Sequence, residues 1–383
     1  MRKPLDKIYS NITRLIVLSI ILISDSISCE AQNAALDSTI KQQMILYHLP
    51  GLAACTISYG KISWSGYYGF QNVEQKKLVK KQTLFMLAST SKTITAAALM
   101  LLYGEGKFKI DDDVNKYLPF KVTNPSNPSS AITFGQLLRH RSSIRDNLEY
   151  LGQFWTINRG DPVLPLRQFL EDYLTAHGKN YNATKNFYNE KPDSEYHYSN
   201  VGIALAGYLV ERIAGMPFDQ FCKKNIFTPL QMDNTAWFLR DLDSNQVAMP
   251  YHYNYSSNQF IKYGFGGYPD YPAGELRTSA EELANFLIAW TQNGMFNGKQ
   301  VFEKKAIQLL TPDDIRLGFY TWFLYATDEG TILYDHNGND NGVFTAMLFN
   351  PKNKKGVIIL VNGEIDVLSR LRSIINAIYD GIP

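Results

Sequence analysis

Apolar residues fall along the chain in two distinct rhythms. From Thr93 to Leu102 the sequence is Ala- and Leu-rich and apolar almost all round, which predicts a buried helix ended by Gly104 and Gly106. Val201 to Ala214 has the same character and stops at Gly215 and Pro217. Ala35 to Leu46 is amphipathic and ends near Pro50. Leu52–Tyr59 and Ile62–Tyr68 flank Gly60-Lys61 as the arms of a β-hairpin would. Helices are expected from Ile132 to His140, opened by Thr133, and from Ser279 to Thr291. Strands are expected at Gly318–Ala326, Thr331–Asp335, Gly342–Phe349 and Gly356–Val361, with a closing helix from Ile365 to Tyr379. Strands at both ends around a helical middle predict an α/β chain of the α+β type. Its mainly antiparallel sheet is built from both termini and flanked by helices, with a helical insertion over residues 112–270.

Charge and the N-terminus narrow the class. A net charge of +2 with no basic or acidic block argues against a nucleic-acid partner. The 383 residues accommodate two domains or one large domain with an insertion. Arg2, Lys3, Lys7 and Arg14 precede the apolar run Leu15–Ile23. That run falls short of the ~20 residues that span a bilayer, so residues 1–31 are expected to be a secretory signal cleaved after Ala31. Residues 32–383 would then be secreted or periplasmic, with no stable membrane span. An uncleaved anchor is one alternative, and Ser26-Ile27-Ser28, a partial lipobox, leaves lipidation of Cys29 as another. Cys55 and Cys222 are too few for a disulfide framework.

Ser89 and Lys92 stand three apart just ahead of the first apolar helix. If a helix starts at Ser89, the hydroxyl and the amine share one face. A helix N-terminus favours a developing negative charge, and a desolvated Lys can lose its proton and act as a base. The pattern alone also fits a capping Ser with a solvated Lys. Asp111-Asp112-Asp113 reads as a capped helix start and not as a metal site, because adjacent side chains point apart and no ligand follows at suitable spacing. His140 is expected to support a loop, and His48, His177, His197 and His252 show no constellation. No G-x-S-x-G is present.

Two further stretches line up with the first: Tyr198-Ser199-Asn200 before the second apolar helix, and His336-Asn337-Gly338 at the end of a terminal strand. Together the three resemble the S-x-x-K, Y-x-N and K-T-G or H-x-G motifs of the serine β-lactamase and penicillin-binding protein superfamily. The resemblance is to the branch of class C β-lactamases, D-alanyl-D-alanine carboxypeptidases, D-aminopeptidases and family VIII esterases. It extends to Glu105-Gly106-Lys107 with Asp111-Asp112, to Leu137–Ser143, to Gly215–Phe218, to Pro229–Thr235 and to Pro272-Ala273-Gly274. Departures are Arg141 for Thr, Ser143 for Gly, Asp335 for Gly and His336 for Lys.

The resemblance implies that Ser89 Oγ forms an acyl-enzyme while Lys92 and Tyr198 share the proton transfers. Which of the two is the base stays open. Asn200 would position Lys92 and the substrate amide. The backbone N–H groups of Ser89 and of Asn339, after Gly338, would form the oxyanion hole. No metal or organic cofactor is implied. The expected substrate is an ester, a D-amino-acid peptide or amide, or a β-lactam, peptidoglycan fragments included. The alternatives are a true class C-like β-lactamase and a non-catalytic penicillin- or peptidoglycan-binding sensor. His336 in place of a Lys predicts weak attraction for substrate carboxylates, growing as pH falls toward about 6, and a preference for esters or peptides over penicillins.

Overall fold

A computed structural model describes residues 34–154, 160–312, 320–365 and 368–381. The expected signal segment, and the start of the strand expected at Gly318, lie outside the described residues.

One seven-stranded antiparallel sheet organises the chain, in the order Phe323–Ala326, Ile332–Asp340, Val343–Phe349, Gly356–Val361, Gly51–Ser58, Lys61–Asn72, Lys77–Leu78. The two chain ends meet at its centre, where Leu52 pairs with Val361 and Thr56 with Val357. Gly51–Ser58 and Gly356–Val361 are buried along their whole length. A strand covered on both faces has no polar side, which is why both read as continuous apolar runs.

Successive side chains of these strands enter two different cores. Leu52, Ala54, Val357, Ile359 and Val361 pack with Ile40 and Met44 of helix 34–46 and with Ile374, Ile375 and Ile378 of the closing helix Arg372–Asp380. Ala53, Cys55, Ile57, Ile358 and Leu360 face the larger core, shared with helices Ser91–Gly104, Asn200–Ala214 and Ala280–Thr291. The first of these helices buries nearly every residue, and the second buries Val201 through Val210. Gly207 lets the second close on the loop at Pro272, because a Cβ there would stand 2.6 Å from the proline ring. That approach carries Ala273 to the start of the first helix.

Local capping follows the sequence. Thr133 and Gln136 form a reciprocal capping box on Phe134–Leu138, and Asp113 caps the turn Val114–Lys116. The closing helix is shorter than expected, Arg372–Asp380, and two boundaries near Ser89 and His336 also differ from expectation. Ser89 lies in a 3-10 turn, Ala88–Thr90, with the α-helix beginning at Ser91. The strand expected to end at Asp335 runs on to Asp340, so His336 sits inside it.

Candidate active site

Ser89 is held at the end of a strained approach. Ala88 has φ of +45°, in the left-handed region that side chains rarely adopt. The following turn brings Lys92 back under Ser89, with Lys92 Nζ 2.9 Å from Ser89 Oγ and donating to the Ala273 carbonyl at 2.6 Å. Lys92 is fully buried. Burial lowers its pKa to about 7, against the opposing pull of Asp146, Asp270 and Asp340. A lysine in that range is a usable base at neutral pH.

Tyr198 completes the group. Its phenol hydrogen-bonds Ser89, and its ring lies 5.0 Å from Lys92 Nζ. Burial raises its pKa above the ordinary tyrosine value, while the Ser89 contact works the other way. The ring is fixed from behind by His140, stacked at 4.3 Å. His140 Nδ1 accepts from the backbone N–H of Ser199 at 3.1 Å, so the next residue is held as well. Burial, then Lys92 and His336, push His140 well below its ordinary pKa, and it stays neutral.

Ser199 caps helix Asn200–Ala214 by accepting from Gly202 N–H at 2.9 Å. Asp146 closes the same helix end by accepting from Ser199 Oγ, Asn200 N–H and Val201 N–H at 2.8, 2.7 and 3.1 Å. Neither His140 nor Asp146 was singled out from the sequence for the site. The family-like stretch Leu137–Ser143 was a pointer to the first, and nothing local pointed to the second. The departure at Ser143 is explained: its φ is +61°, where glycine is the easier residue, and its hydroxyl accepts from Asn124 Nδ2 at 2.7 Å.

Strand Ile332–Asp340 supplies the opposite wall. Among the described residues its neighbour Phe323–Ala326 pairs as far as Asp335, and the strand beyond runs beside the Ser89 turn. Thr90 Oγ1 donates to the His336 carbonyl at 3.1 Å. Gly338 sits so close that a Cβ would stand 2.2 Å from the Leu87 carbonyl oxygen and 2.9 Å from Ser89 N. A cavity of about 160 Å³ opens over this junction, lined by Ser89, Asn200, Tyr268, Asp270, Asn339 and Asp340. The side chain of Asn339 is spent on the Ile365 carbonyl, at 2.9 Å.

The structure therefore brings together Ser89, Lys92, Tyr198, Asn200, Gly338 and Asn339, and keeps His336 near Lys92 but out of the cavity lining. His336 is fully buried, does not line the cavity, and donates through Nδ1 to the Thr321 carbonyl. Burial, reinforced by Lys92, lowers its pKa to about 3. Held neutral by burial, it does not fit the expectation of gaining charge near pH 6 for a substrate carboxylate, although it shares its strand face with Gly338 and Asp340.

Comparison with known proteins follows the same outline. A family model described as Beta-lactamase matches residues 36–376. Protein flp of Staphylococcus aureus (strain MRSA252) is 25% identical over 339 residues, covering 88% of this chain and 64% of its own. Penicillin-binding protein 4* of Bacillus subtilis (strain 168) is 27% identical over 320 residues, covering 80% of this chain and 67% of its own. The chain thus spans slightly under two thirds of the length of flp. Among solved structures, the octameric penicillin-binding protein homologue from Pyrococcus abyssi superposes with a TM-score of 0.75 at 25% identity, over 91% of this chain and 77% of that one. EstCE1, a hydrolase with promiscuous acyltransferase activity, shares the fold with a TM-score of 0.71 at 19% identity, over 92% of this chain and all of that one.

Proposed function

The chain belongs to the Beta-lactamase family, and from that premise we propose that it is a serine hydrolase cleaving an ester or a D-amino-acid peptide or amide bond through an acyl-enzyme on Ser89. The observation that carries this reading is the Ser89–Lys92 pair, 2.9 Å apart, with the amine buried and its pKa lowered to about 7.

Neutral Lys92 takes the Ser89 proton as Oγ attacks the carbonyl. Tyr198, raised above its ordinary pKa, remains a phenol and passes a proton between Ser89, Lys92 and the leaving group. The edge of the strand at Asn339 and the N–H of Ser89 face the position where the oxyanion develops. Asn200 orients the substrate from the opposite wall. Water then releases the acyl group by the reverse proton path. We further propose that the mature protein starts near Gln32 and acts outside the cytoplasm, on the strength of the charged and apolar pattern of residues 1–31.

Incubation with nitrophenyl acetate and a panel of acyl probes, followed by mass spectrometry, tests the reading. Turnover is expected, with the acyl mass on the peptide containing Ser89. Ser89→Ala should lower the rate by about 10³-fold or more while circular dichroism is unchanged. Wild-type activity in that variant would sink the nucleophile assignment. An acyl adduct that forms and never hydrolyses would favour the sensor reading.

A further inference from the structure

The charge of the cavity is one-sided. Among its described lining residues the only ionisable acids or bases of ordinary charge are Asp270 and Asp340, and no Lys, Arg or His lines it. Lys92, the nearest amine, is fully buried beneath Ser89 and directed at Ser89 Oγ and the Ala273 carbonyl. Asp340 has both oxygens engaged, Oδ2 accepting from Tyr268 Oη at 3.1 Å and Oδ1 from Asn341 N–H at 2.7 Å. Asp270 differs. It is 2% exposed, and its Oδ1 has no hydrogen-bond partner among the described residues. A buried carboxylate oxygen left without a donor is costly, and a donor entering the cavity would remove that cost.

We propose that the cavity selects acyl substrates that carry a cationic amine, such as amino-acid esters and amides with a free ammonium, using Asp270 Oδ1 as acceptor and Asp340 as a second negative charge. An ammonium brings three N–H donors and the charge opposite to both carboxylates. A substrate carboxylate would be driven against the same two groups with no cation to receive it. Burial, with Asp146 and Asp340 nearby, raises the pKa of Asp270 to about 7. An arriving ammonium would favour the ionised form of this carboxyl. This inference rests on the acyl-enzyme reading and names the substrate class for that site.

Matched esters test it. Nitrobenzyl esters of alanine and of lactate differ in one group, ammonium against hydroxyl, at nearly constant shape. Run in both enantiomeric forms beside nitrophenyl acetate, they give a ratio of kcat/KM values. The alanine ester is expected to win by about tenfold or more at low ionic strength, with the ratio shrinking in roughly 0.5 M salt. In Asp270→Asn the ratio should fall to about threefold or less. Parity or a lactate preference in wild type, with Ser89-dependent turnover of nitrophenyl acetate intact, overturns the proposal and leaves the acyl-enzyme reading standing. An undiminished ratio in Asp270→Asn overturns the assignment to Asp270. No turnover of any of the three esters overturns both readings. Should Asp270→Asn fail to fold, competitive inhibition of wild type decides: 2-aminopropan-1-ol should inhibit more strongly than propane-1,2-diol, and equal inhibition overturns the proposal.

Discussion

Proton positions at single residues govern this site. Lys92, with its pKa lowered to about 7 by burial, accepts a proton only when neutral, so activity belongs above that pKa and is lost below it. The kcat/KM of a neutral ester should rise through about pH 7 and stay flat to about pH 9, because Tyr198, raised above its ordinary value near 10, does not ionise there. Asp270 helps hold the proton on Lys92. Asp270→Asn should therefore move the acid limb to lower pH, and a limb moving upward would count against the assignment of Lys92. Lys92→Ala and Tyr198→Phe should each slow acylation, with the double variant little worse than the worse single, as for groups sharing one proton path. Multiplying losses, read from single-turnover rates, would separate them. His336, lowered to about 3, should show no titration of its ring proton resonances between pH 8 and 5. Reaction with carboxylate substrates should gain nothing near pH 6 from this residue.

Two elements set the geometry around those residues. Strand Ile332–Asp340 reaches the Ser89 turn only because Gly338 has no side chain. Gly338→Ala pushes the strand away from Leu87 and Ser89, and a shift of that kind should lower kcat by about 100-fold and cost about 1–3 kcal/mol of stability. Rates alongside thermal midpoints would check both, and unchanged kcat would mean that the strand does not need this closeness. Helix Asn200–Ala214 is anchored by Asp146, which receives three donors at its N-terminus. Asp146→Ala strands those donors and should destabilise the fold by about 2–3 kcal/mol. Asp146→Asn keeps an acceptor oxygen and should recover part of it in urea titrations.

The whole molecule closes on itself through its sheet. Gly356–Val361 lies between Val343–Phe349 and Gly51–Ser58 and is buried on both faces. It joins the C-terminal strands to the N-terminal hairpin and separates the core beneath helix Arg372–Asp380 from the core around Ser91–Gly104. A chain ending at Lys355 should accordingly show no cooperative unfolding transition by circular dichroism. A folded, active product would show that the two halves of the sheet stand without their shared strand.

The sequence by itself determined the helices and strands with strong periodicity and the sheet drawn from both termini, features that rest on short-range chemistry: a helical turn, a capping Thr133, an apolar strand. Its resemblance to a family, and not local chemistry, pointed to Ser89, Lys92, Tyr198 and Asn200. Only the tertiary structure decided the rest. His336 was legible as a motif residue, but its full burial and its hydrogen bond to the Thr321 carbonyl depend on how distant segments pack around the strand. The stack of His140 on Tyr198, the Asp146 anchor and the unpartnered Asp270 join residues more than 50 positions apart. Burial and neighbouring charge set the protonation of all of them, and both come from the packing of distant segments, which local sequence does not encode.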